Sequence, residues 1–92
     1  IQLDRSTYQL SNSEGTTIRL ANKEYQMLEM LMTNPGQVIS VDQFMDKIWG
    51  YDSEAEFNVV WVYISYLRKK LSSLHAHVQI KATRGVGYSL IE

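Results

Sequence analysis

Along the first twenty residues, apolar and polar side chains alternate. Ile1 and Leu3, Tyr8 and Leu10, then Ile18 and Leu20 lie two apart with polar residues between them. A period of two sends successive side chains to opposite faces of a strand. The stretch "SNSEG" (Ser11–Gly15) supplies turn chemistry, since Gly tolerates positive φ while Asn and Ser bond their own backbone. The pattern predicts short antiparallel strands in a small N-terminal sheet. From Asn22 the period changes. Tyr25, Leu28, Leu31 and Met32 fall at i, i+3, i+6 and i+7, one face of a helix. "NPG" (Asn34–Gly36) ends it, because Pro35 biases Asn34 out of the helical region.

A second helix is announced by "SVDQ", with Ser40 as N-cap and Gln43 three residues on, a capping box. Phe44 and Ile48 share a face of it beside Trp49, and "GYDSEAE" (Gly50–Glu56) follows as an acidic loop. The next segment, "NVVWVYISYLRKK", is too long for a strand of ordinary length. Read as a helix, it carries Val60, Ile64, Leu67 and Leu71 at i, i+4, i+7 and i+11, an unbroken apolar stripe. A third helix is therefore predicted from about Phe57 to Ser73, roughly 25 Å long at 1.5 Å per residue.

The opposite side of that helix is unusual. Asn58, Val62, Ser65, Tyr66 and Lys69 line it, with Trp61 alongside. Such a face fits two uses: a second layer of packing, or contact with something outside the protein. Last comes "VQIKATRGVGYSLI" (Val78–Ile91), read as a hairpin with a Gly-Val-Gly tip where Gly85 and Gly87 allow the angles of a tight turn. Arg84 stands at the tip, an exposed cation on an element thin enough for a narrow groove.

Composition narrows the classes. Ninety-two residues make a single domain, 1–92, and 45% apolar with 21% charged residues is ordinary for a globular chain. No apolar run approaches the ~20 residues of a membrane span, so no membrane role is expected. A chain opening on Ile1 rather than Met is expected to be a fragment of a longer protein. With no cysteine, disulfides and thiolate metal sites are excluded. His75 and His77 form an H-x-H without further clustered ligands, no Gly-rich phosphate loop follows a strand, and no Ser–His–acid arrangement is suggested. Neither catalysis nor a cofactor or metal is expected. Charge changes the picture more. Residues 1–57 hold nine acidic side chains against four basic ones, a net of −5, whereas residues 58–92 hold five basic against one acidic, a net of +4. A polyanion is repelled by the first part and drawn to the second. Arg68 and Lys69 are candidates for phosphate contact within the second part.

In their order and spacing, "KEYQMLEML", "NPGQVIS", "IWGYD", "YLRKKL" and "TRGVGY" make a chain that resembles the DNA-binding effector domain of OmpR/PhoB-type bacterial response regulators over nearly its full length. The resemblance implies an α+β winged helix-turn-helix: a small N-terminal antiparallel sheet, three helices and a C-terminal hairpin wing. It implies sequence-specific binding of double-stranded DNA at promoter half-sites, with the third helix in the major groove and wing Arg84 in the minor groove. By the same resemblance, Val59, Trp61, Val62, Ser65 and Tyr66 face the groove. Trp49, Asn58, Tyr63, Arg68 and the wing residues from Ala82 to Tyr88, among them Thr83, Arg84, Gly85 and Tyr88, contact phosphates. The loop holding Tyr51, Asp52, Glu54 and Glu56 is the implied contact for RNA polymerase. The full-length protein is implied to be a cytoplasmic bacterial regulator that forms a homodimer. Its absent receiver domain is implied to be phosphorylated by a cognate sensor histidine kinase.

Some positions depart from the family's pattern. Ala21 stands where a threonine N-cap is usual, and Ala82 replaces a phosphate-bonding threonine that Thr83 is placed to substitute. Trp61 occupies a position commonly aspartate, Ser65 one often arginine, and Tyr66 one that is arginine or tyrosine. The expectation is a reading face with fewer charged contacts, leaning on methyl groups and DNA shape. Two rivals remain: Trp61 folds against its own helix or a neighbouring protomer, or the domain is a protein-interaction module whose DNA reading is weakened by Trp61 and Ser65.

Overall fold

Three short strands open the chain, β1 (Gln2–Asp4), β2 (Gln9–Ser11) and β3 (Thr17–Arg19), and pair antiparallel in that order. Their register sets Leu3 opposite Leu10 and Leu10 opposite Ile18, so the alternation becomes one apolar row facing the core. The computed structural model describes residues 1–50 and 58–92. Tyr8, expected within a strand, instead holds a left-handed backbone (φ 57°) in the turn before β2. Its ring stacks on Tyr25 with centroids 4.5 Å apart. That packing offsets the strain of a non-glycine residue in this region.

Helix α1 (Asn22–Thr33) buries Tyr25, Leu28 and Leu31 as its spacing predicts, and Met27 as well. Ala21 caps its start without a side-chain acceptor. Glu24 supplies the other half of a capping box, its Oε1 accepting the Ala21 N–H at 2.7 Å. The same carboxylate is buried and receives Lys70 Nζ at 2.6 Å. After "NPG" the chain forms a two-residue strand, β4 (Ile39–Ser40), too short for alternation to reveal. Ser40 then caps helix α2 (Val41–Phe44): its hydroxyl accepts the Gln43 N–H at 3.1 Å, and Gln43 Oε1 accepts the Ser40 N–H at 2.8 Å. Rather than continuing regularly, the helix widens into a π-helical segment, Met45–Trp49, closed by the Gly50 N–H donating to the Met45 carbonyl at 2.7 Å.

Helix α3 (Asn58–Ser73) buries Val60, Ile64, Leu67 and Leu71, the stripe the sequence predicts. Strands β5 (Gln79–Thr83) and β6 (Gly87–Ile91) form the hairpin, and β6 also pairs with β4, giving a second sheet in the order β4-β6-β5. One core, built around Leu10, Leu28, Phe44, Ile64, Leu67 and Leu90, joins the helices to both sheets. The architecture is the expected winged helix-turn-helix. One detail differs. Gly85 takes the positive φ (+77°) of the turn, but Gly87 does not; it lies in β6, where an added Cβ would stand 2.0 Å from the Ile39 carbonyl oxygen. Gly87 is required for the close approach of β4, not for the turn.

Candidate nucleic-acid interface

Helix α3 is held by its buried stripe and by bonds at both flanks. On one flank Lys70 donates to Glu24 of α1 and, at 3.4 Å, to the Arg19 carbonyl at the end of β3. On the other, Arg68 Nη2 and Nε donate to the Ile80 carbonyl of β5 at 3.0 and 3.3 Å. The Arg68 guanidinium also lies 5.9 Å from the centre of the Tyr88 ring on β6, within cation–π range. Sequence reasoning expects Arg68 as a free cation at a helix end. The structure makes it first a strut between α3 and the wing, with its remaining N–H groups turned outward on an exposed side chain. No local signal announces this bond, since it joins residues twelve apart through the docking of the hairpin.

The outward face of α3 holds together as predicted. Asn58 and Lys69 are exposed, Val62 and Ser65 are partly exposed, and Tyr66 is 48% and Trp61 59% exposed. No second layer of packing covers this face among the described residues. Ser65 is less free than expected, because its hydroxyl donates to the Trp61 carbonyl at 3.1 Å. Val59 and Tyr63 turn toward the protein and pack against the core. Tyr63 bridges two aromatics, its ring 5.6 Å from Trp49 and 5.7 Å, edge-on, from Tyr66. At the other end of this row Trp49 lies half-buried beneath Lys23, whose Nζ sits 5.3 Å from the indole centre. Lys23 therefore joins the site's rim. Its place on α1 gave no sign of it, since the contact is made across the fold.

At the wing, Thr83 ends β5 and Arg84, Gly85 and Val86 make the turn, closed by the Val86 N–H donating to the Thr83 carbonyl at 3.0 Å. Arg84 is exposed and bonds to no other described residue; Lys69 and Lys81 are likewise exposed and unpaired among the described residues. Residues 82–88 and the start of α2 at Ser40–Asp42 border an open groove of about 440 Å³. The expected polymerase-contact residues Tyr51, Asp52, Glu54 and Glu56 lie outside the described residues. No helix among the described residues is long and apolar enough to cross a membrane. No cluster of metal-ligating side chains is found among them either.

The geometry places on one helix a mixed face without a partner among the described residues, flanked by a cation-tipped hairpin. Comparison with known proteins points the same way. A family model described as "Transcriptional regulatory protein, C terminal" matches residues 15–90. The transcriptional regulatory protein DltR of Streptococcus agalactiae is 40% identical over 92 residues, all of this chain but 41% of DltR. Thus the chain spans about two fifths of the length of such curated relatives. Among solved structures, the DNA-binding domain of the response regulator AdeR, in complex with an intercistronic region, superposes with a TM-score of 0.84 at 25% identity, covering 99% of this chain and 93% of that one. The Klebsiella pneumoniae RstA DNA-binding domain, in complex with the RstA box, gives 0.78 at 29% identity, covering 97% and 88%.

Proposed function

Because the chain belongs to the family of C-terminal domains of transcriptional regulatory proteins, the OmpR/PhoB-type effector domains of response regulators, we propose that it binds double-stranded DNA through α3 and the wing together. Helix α3, 16 residues and about 24 Å long, lies in the major groove, which is wide enough to admit a helix with its side chains. Asn58, Trp61, Val62, Ser65 and Tyr66 face the bases. Lys69 and the outward N–H groups of Arg68 reach phosphate oxygens, and Val59 and Tyr63 support the face from behind. Trp49 offers its indole N–H, and Thr83, Gly85 and Tyr88 lie along the wing's approach to the backbone. Arg84 enters the minor groove, where negative potential is strongest over A·T-rich sequence.

The observation that carries this reading is the pairing of an exposed face on α3 with the cations Lys69, Lys81 and Arg84, unpaired among the described residues, on the part of the chain with net charge +4. Salt titration of duplex binding tests it. With about two to four phosphates neutralised per domain, log K against log[salt] is expected to fall with a slope of about −2 to −4. A flat line refutes it.

The whole protein is proposed to act as a response regulator whose receiver domain is phosphorylated by a sensor kinase and which dimerises on paired half-sites. The acidic loop 50–56 is proposed to touch RNA polymerase. Neutral substitutions of Asp52, Glu54 and Glu56 are then expected to lower transcription from a bound promoter at unchanged DNA affinity. Equal loss of both rejects the polymerase contact.

A further inference from the structure

Resting on the DNA-binding reading, we infer that α3 recognises its site chiefly through the 5-methyl groups of thymines rather than the hydrogen-bonding edges of guanines. The major-groove edge of guanine offers two acceptors and calls for a cationic or amide donor, whereas thymine offers a methyl group and calls for an apolar partner. Several of the donors that α3 carries are committed inside the protein. Arg68 spends two N–H groups on the Ile80 carbonyl, Lys70 is taken by the buried Glu24, and the Ser65 hydroxyl donates to the Trp61 carbonyl. Lys69 stands near the far end of the helix, and Asn58 is its first residue.

Between those ends, the outward surface is Val62 flanked by Trp61 and Tyr66, the two rings 59% and 48% exposed. Tyr66 makes an edge contact with Tyr63 at its base. Apolar surface at the middle of a helix with a cationic rim matches a row of methyl groups along a groove whose walls are phosphates. Burying one methyl against it strengthens binding about fourfold.

The test starts from a half-site selected by this chain from a random duplex pool. Each thymine is then replaced by deoxyuridine, which removes the methyl and leaves the hydrogen-bonding edge intact. In a second series each guanine is replaced by 7-deazaguanine, which removes an acceptor. About fourfold weaker binding is expected at each contacted thymine and less than a twofold change at any guanine. Val62→Ala and Trp61→Ala alter surface side chains only, and each is expected to shrink the difference between the thymine and uracil duplexes. A selected half-site without thymine, equal binding of the uracil duplex, or a larger loss with 7-deazaguanine overturns the inference while DNA binding stands. A pool that shows no enrichment overturns the DNA reading itself.

Discussion

At the scale of single residues, the two glycines of the wing separate two physical jobs that look alike in sequence. Gly85 accepts a left-handed backbone, so Gly85→Ala is expected to cost about 1–2 kcal/mol of strain. At Gly87 the obstacle is the Ile39 carbonyl, 2.0 Å from where a Cβ would stand. Backbone cannot rotate away as a side chain can, so Gly87→Ala is expected to cost about 3 kcal/mol or to detach β4 from β6. Urea unfolding of both variants checks the order; equal losses contradict it. Arg68 teaches a related lesson. A guanidinium carries five donors in a fixed fork, so it can brace Ile80 and Tyr88 and still offer N–H groups to a phosphate. A lysine there lacks the planar fork that lets one side chain brace the carbonyl, stack on the ring and still present a bidentate edge.

At the scale of elements, the start of α1 is under-capped. Ala21 already has the extended backbone of an N-cap (φ −67°, ψ 159°) but no oxygen to accept a helical N–H. Only the reciprocal bond from Glu24 is made. Ala21→Ser is therefore expected to complete the box and stabilise the domain by about 1 kcal/mol, read as a higher midpoint in urea at an unchanged slope. Helix α2 shows the opposite case, since Ser40 and Gln43 form both bonds. Ser40 is also the residue of β4 that pairs with Gly87. The start of α2 is thus pinned to the base of the wing, which fixes the two elements bordering the proposed DNA surface relative to one another.

Over the whole molecule, charge and shape cooperate. The acidic excess lies in residues 1–57 and the basic excess in α3 and the wing, which orients the protein toward a polyanion before any contact forms. Arg84 belongs to that field and to minor-groove shape, so Arg84→Ala is expected to weaken binding to every duplex, most where the flank is A·T-rich, and to make the salt slope shallower by about 0.9. An equal loss whatever the flanking sequence would make Arg84 a plain phosphate contact instead. Much of this was legible in the residues alone. The apolar stripe of α3, the capping box at Ser40, the strand alternation of Leu3, Leu10 and Ile18, and the cationic wing tip all follow from neighbours close in the chain. Their patterns repeat at the period of the element that makes them. What only the tertiary structure decided are meetings between distant segments: Arg68 on the Ile80 carbonyl, Lys70 on Glu24, Lys23 over Trp49, Gly87 under Ile39 and the strand β4 itself. Periodicity says which side of an element is apolar, but it carries no information on which partner arrives there. Those contacts exist only once the helices and sheets have docked, and they determine which of the predicted donors remain free to meet DNA.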